Sequence, residues 1–265
     1  MSFADTTKPT YTNFEKPAFL ELPTGQSIIR ILDEGAVKST IHFIAKARVS
    51  VMCLGEDCPI CENNRKIYQE HPEDFRNVQG YYPKARRFST NVLDKTPVKI
   101  CPACGKSHKA VSGNYPIACS CGQAIVNVEP APLNKVRVLN KGADLFDQFN
   151  EFEKAQLTED GESIPLQHYD IVLSVSGTGK ETRIVAIPKM PITGVQALPE
   201  GEKLFDVTNT AGVKLSRVEI IDLLRGVALR DIFNARKSND TKIEEDANTA
   251  EQLTEDIKGL FPDLN

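Results

Sequence analysis

The residues best equipped for chemistry are seven cysteines, gathered at positions 53, 58, 61, 101, 104, 119 and 121 instead of being spread along the 265-residue chain. Cys101-Pro102-Ala103-Cys104, fourteen intervening residues and then Cys119-Ser120-Cys121 supply four thiolates as two closely spaced pairs. Each pair can form a chelating turn, and two such turns complete the tetrahedral shell that zinc takes in closed structural sites. The intervening loop is rich in Gly, Ser, Lys and Asn and offers little apolar core, which favours metal ligation over a buried thiol cluster. An odd number of cysteines in short clusters also argues against a disulfide framework.

The first cluster, Cys53-x4-Cys58-Pro59-Ile60-Cys61, has three thiolates and lacks a fourth ligand. A histidine is the expected complement, and the chain has four: His42, His71, His108 and His168. His42 lies eleven residues before Cys53 on an expected strand, and His71 lies ten residues after Cys61 beyond an expected helix. The cofactor expectation is therefore Zn2+ at two sites. Each would contribute on the order of 10 kcal/mol to folding its own loops.

A second kind of chemistry is suggested by Tyr81-Tyr82-Pro83-Lys84-Ala85-Arg86-Arg87-Phe88, where three aromatic rings alternate with three cations. Single-stranded nucleic acid needs cations for its backbone and flat rings for its unpaired bases, each stacking contact being worth roughly 1–3 kcal/mol. Arg30, Lys46, Arg48, Lys135 and Arg137 lie on or beside other expected strands and could extend the same cationic track. The whole-chain charge of −4 conceals this polarity: residues 240–265 carry eight acids against two lysines, a net of −6, which leaves residues 1–239 at +2. A mildly basic body with an acidic tail results. Such a tail can mimic a nucleic-acid backbone and compete for a cationic groove, and its apolar tip, Leu260-Phe261-Pro262-Asp263-Leu264, is suited to partner proteins.

Other chemistries lack carriers. Ser176-Gly177-Thr178-Gly179-Lys180 resembles part of a phosphate loop, but Ser174 stands where the first glycine belongs and Glu181 follows the lysine. No HExxH or GxSxG motif occurs, and no cysteine is left over as a nucleophile once both metal shells are filled. The chain is not expected to be an enzyme. With no apolar run near 18 residues and no apolar leader, it is expected to be soluble and intracellular, without a membrane partner.

The elements that must position these residues are mostly strands. Ordinary globular usage, 40% hydrophobic and 26% charged, allows one large domain or two small ones. Residues 27–32, 40–44, 87–93, 125–128, 136–139, 170–175 and 182–187 are short and β-branched, and the last two bracket a Gly-rich turn that predicts a hairpin. Helices are expected at 62–74, at 143–156 with Leu145, Phe146, Phe149 and Phe152 on one face, and from the capping box Ser216-Arg217-Val218-Glu219 to about Ala235. Many short strands without a strand-helix rhythm predict a small β-barrel with decorations. The expected organisation is an extended arm over 1–20, a body over 21–236 carrying metal subdomains at 42–61 and about 97–125, and an acidic, disordered tail over 237–265.

The ordered motifs resemble a known family. A histidine on a strand, Cys-x4-Cys-Pro-Ile-Cys, the strand Arg86-Arg87-Phe88-Ser89-Thr90-Asn91-Val92-Leu93-Asp94, and Val136-Arg137-Val138-Leu139-Asn140-Lys141-Gly142 before a helix are similar to the zinc-containing single-stranded DNA-binding proteins of tailed phages. The resemblance covers roughly residues 25–190, and the tail in character only. It implies an OB-fold, His42 with Cys53, Cys58 and Cys61 as metal ligands, Phe88 in the DNA cleft, and Arg86 and Arg87 on its cationic approach. It further implies sequence-independent single-stranded DNA binding during phage replication, recombination and repair in the infected host's cytoplasm. The tail would recruit replication and recombination proteins. The second cysteine cluster has no counterpart in the family and reads as an inserted ribbon. The arm carries only Lys8 and Lys16 where family members carry a basic segment, so strong cooperativity is not expected. The competing expectation is a zinc-ribbon protein-interaction or transcription-associated module.

Overall fold

A computed structural model of the chain describes residues 17–158, 161–190 and 194–236. The described residues fall into two compact units, one of residues up to 42 together with 84–214, the other of residues 43–83 together with those from 215 onward. Among the described residues the fold is mainly β, with antiparallel sheets and four helices. No helix among the described residues is long and apolar enough to cross a membrane.

In the first unit the organising strand is β4 (Lys84–Asp94). Its first half pairs with β2 (Val37–Ile44), its last residues with β1 (Gly25–Ile31), and Phe88–Asp94 with β8 (Lys135–Lys141). β1 continues to β9 (Ile171–Ser176), which forms the expected hairpin with β10 (Arg183–Pro188). The seven-stranded sheet runs β10-β9-β1-β4-β2-β3, where β3 is Val49–Met52, with β8 branching from β4. Because β4 divides one edge between β2 and β1, the sheet forks, and among the described residues it does not close into the expected barrel.

From Phe88 to Asp94 every residue of β4 is buried, because both faces of the strand are covered. On one face Phe88 and Val92 join Leu139 and α2 (Ala143–Ala155), whose Leu145, Phe146 and Phe149 point inward as their spacing predicts. On the other, Phe205 and Val207 pack against Val136 and Val138. That second cover has no periodic signature and is attached through polar groups. The Asn91 amide donates to the Phe205 carbonyl at 3.0 Å and accepts the Phe205 N–H at 2.9 Å, replacing the strand partner that the segment lacks.

Asn91 also donates its backbone N–H to Asp33 at 2.6 Å, and the Thr90 hydroxyl donates to the same carboxylate. Burial pushes the Asp33 carboxyl up to about 6, against the opposing pull of these hydrogen bonds. A raised acid pKa favours the neutral form in the fold. Asp33 therefore supports folding most below pH ~4, and this contribution of about 3 kcal/mol is lost as pH rises from about 4 to 6. Urea unfolding from pH 4 to 7 is expected to show the stability of the wild type falling relative to Asp33→Asn across that window. A constant difference would contradict the assignment.

The ribbon insert is a three-stranded sheet ordered β6 (Ser107–Lys109), β5 (Pro97–Ile100) and β7 (Ala131–Pro132). Residues 125–128 are not the expected strand. Ile125 is drawn onto Cys101 and Cys119, and residues 126–127 form a turn. The Gly177 loop is a hairpin connection followed by a strand, and φ +75° at Gly177 leaves no room for a Cβ against the Glu181 carbonyl. A phosphate loop would lead into a helix.

In the second unit α1 (Pro59–Glu70) starts three residues before the expected helix, with Pro at its first position, where a missing N–H is harmless. α3 (Arg217–Arg225) opens on the predicted capping box with both reciprocal bonds present. It stops at Gly226, φ +103°, and a separate helical stretch covers 229–236, so the expected single helix to Ala235 is two. Arg217 grips Glu62 of α1 with two bonds of 2.8–2.9 Å. Arg236 pairs with Glu219 at 2.6 Å and holds that carboxyl down at about 2.

Candidate metal centres and nucleic-acid interface

His42 stands fully buried near the end of β2, Cys53 follows β3, Cys58 caps α1 and Cys61 lies in its first turn. Their donor atoms all lie within 4.8 Å of one another. The structure thereby selects His42 over His71, which caps the far end of α1. The Cys53 and Cys61 sulfurs are 3.5 Å apart. A tetrahedron with metal–sulfur bonds of about 2.3 Å has edges of about 3.8 Å, whereas a disulfide needs about 2.05 Å. Burial pushes the Cys61 thiol up to about 12, reinforced by its hydrogen bonds to Cys53 and Cys58. Four donors at these separations could hold a divalent cation.

Cys101, Cys104, Cys119 and Cys121 form the second group, again within 4.8 Å. Cys101 lies 3.6 Å from Cys121 and Cys104 lies 3.5 Å from Cys119. Each pair sits in a tight turn: Gly105 N–H donates to the Cys101 carbonyl and Gly122 N–H to the Cys119 carbonyl. A backbone hydrogen bond from Cys121, joined by a side-chain bond from His108, brings the Cys119 thiol down to about 5. Both groups thus present four protein donors, enough to fill a tetrahedral shell.

The structure distributes the expected nucleic-acid residues unevenly. Lys84 and Arg86 are exposed on β4 and Arg87 is half-buried. Arg86 and Arg87 have no ion-pair partner among the described residues. Tyr81 and Tyr82, both half-buried, precede the strand. Tyr81 meets Phe75 edge-on with ring centroids 5.1 Å apart, and Asn64 clasps both the N–H and the carbonyl of Tyr82. Phe88 is committed to the core, stacked on Phe146 at 5.2 Å. It offers no open ring face of the kind the resemblance implies.

Arg30 does not join a solvent-facing track. It is 3% exposed, its guanidinium 2.7 Å from Asp170, with a further bond to the Gly194 carbonyl. Lys46 and Arg48 are exposed in the turn after β2. Lys135 pairs with Glu202 at 2.7 Å, while Arg137 is half-buried, bonds its neighbour's carbonyl, Val136, at 3.3 Å and adds to the positive charge around Glu202. Leu260, Phe261, Pro262, Asp263 and Leu264 lie outside the described residues.

Lys141 is a contact candidate that the sequence does not single out. It continues the face of β8 that carries Lys135 and Arg137, since alternate strand residues share a side. Burial lowers its pKa, and Arg87 adds like-charge repulsion. The signal available in the sequence is the period-two spacing of cations at 135, 137 and 141.

No protein-family model matches the chain, and no curated protein matches it either.

Proposed function

We propose that the chain is a non-enzymatic, sequence-independent single-stranded DNA-binding protein stabilised by two zinc ions. The observation that carries this reading is that Arg86 and Arg87 on β4 have no ion-pair partner among the described residues, with Lys141 opposite Phe88 on the adjoining strand. Cations placed along one strand without carboxylate partners are a liability in an isolated protein and an asset against a polyphosphate. Cysteine with histidine in four-donor groups fits zinc, and a full shell leaves no metal position for a substrate. The forked antiparallel sheet is compatible with an OB-type body. In this reading the acidic tail competes for the cationic surface and recruits phage replication and recombination proteins, and the protein works in the cytoplasm of an infected bacterium.

A protein that prefers unpaired strands must lower the melting temperature of a duplex by mass action. Saturating protein is expected to shift the melting of an A·T duplex downward at low salt, and an unchanged or raised melting temperature would contradict the proposal. One observation favours a second reading, a protein-docking ribbon: Ile117 and Val126 are 75% and 55% exposed on the insert. That reading expects negligible affinity for bare strands, and loss of partner binding when Cys101 is replaced.

A further inference from the structure

A cavity of about 1270 Å³ opens in the first unit between β8, the segment of residues 18–23 and the ribbon insert. It exceeds the ~300–1,000 Å³ of ordinary small-molecule pockets. Its walls combine an aromatic ring with cations. Leu20 and Leu22 pack on the main core and Ala18 on the cluster of Val136, Val138, Phe205 and Val207, whereas Phe19 between them is 46% exposed and lines the cavity. The backbone of this segment is nevertheless fixed: Leu20 N–H donates to the Val138 carbonyl at 2.9 Å, and Val138 N–H donates to the Ala18 carbonyl at 2.9 Å. A large apolar ring held open on a fixed backbone is a ready stacking platform.

Arg137 and Lys141 line the same cavity. Four residues apart, they are rooted about 14 Å from each other along the strand, which suits two separate phosphates of a polymer and not one small anion. Lys109 also lines it but is neutralised by Asp94 at 2.7 Å. Glu21, the remaining carboxylate of the lining, is exposed and pairs with no cation among the described residues. The outer wall comes from the insert. His108 faces the cavity and also hydrogen-bonds Cys119, so the second metal centre braces that wall.

We propose that this cavity seats unpaired nucleotides of the bound strand, with Phe19 as the stacking surface, Arg137 and Lys141 as phosphate contacts, and the inserted ribbon as its outer wall. This rests on the single-strand reading and gives the second cysteine cluster a role in it. The full chain, titrated into a fluorescein-labelled thymidine oligonucleotide at several salt concentrations, tests it.

Phe19→Ala is expected to weaken binding roughly 5- to 150-fold, and Phe19→Leu, which keeps the bulk but not the flat face, to weaken it as well. Lys141→Gln is expected to reduce the slope of log affinity against log salt by about 0.7. Thermal melts of the variants identify any loss that comes from unfolding, and the half-buried lysine and open ring are replaceable without a core cavity. If the wild type binds and Phe19→Leu and Lys141→Gln match it in affinity and slope, the cavity assignment falls while the single-strand reading stands. If the wild type binds no single strand, both fall.

Discussion

Removing the metal is expected to unfold the ribbon and the loops around α1 while the seven-stranded sheet persists. The ribbon's own buried cluster amounts to Cys101, Cys119 and Ile125, with Val128 against it. Three small side chains cannot offset the ordering of the turns that carry them, at roughly 1–2 kcal/mol per residue for the backbone alone. Apparent binding free energies of structural zinc are about 10–16 kcal/mol, and for the ribbon they are folding free energy. Elemental analysis of the wild type is expected to find two zinc ions per chain, one for each four-donor group. His42→Ala and Cys101→Ala should each lose one, from different centres. Hydrogen exchange should show protection vanishing around 53–70 in the first variant and around 98–126 in the second. Retention of both ions in His42→Ala would remove His42 from the ligand set. Retained protection in the metal-free chain would make the centres incidental to folding.

The double replacement Arg86→Ala/Arg87→Ala is expected to weaken single-strand binding to every sequence alike. With two fewer cations neutralising phosphates of a single strand, the salt slope falls by about 1.4, so the deficit is greatest at low salt. Arg30 provides the contrast. Its charge is already paired with Asp170, which also accepts from Lys95 at 2.7 Å. Arg30→Ala should leave the salt slope intact and reduce stability by about 1.5–3 kcal/mol, because it removes a buried charged hydrogen-bond donor from a carboxylate that keeps Lys95. Equal salt slopes for the wild type and the double variant would remove Arg86 and Arg87 from the interface.

The difference between those arginines is not legible in the sequence, and the reason is physical. Arg30 and Arg87 both sit on expected strands, and only the return of Asp170, 140 residues later, ties the first into a part-buried ion pair. Phe88 is hidden for the same reason, since Phe146 reaches it from α2. Local signals serve better. The metal ligands follow from cysteine spacing, although the choice of His42 over His71 needs a family pattern that the geometry then favours. α2 and the start of α3 follow from apolar spacing and a capping box.

Elsewhere a local pattern is overridden by something outside it. Gly226 ends a helix whose apolar period runs on. The metal turn at Cys119 overrides the β-branched run at 125–128, burying Ile125 and turning Val126 outward. The cover over β4 formed by Phe205 and Val207 has no period, because one amide, Asn91, takes the place of a strand partner. The forked β4, with three partners along eleven residues, is a consequence of register that no single strand announces.

The most direct test of the central claim is fluorescence anisotropy of one labelled oligonucleotide, presented single-stranded and as its duplex, with the full chain at several salt concentrations. Strong preference for the single strand is expected, with log affinity falling linearly in log salt by about 0.7 for each phosphate contacted. Equal affinity for the two forms, or none for either, would contradict the account.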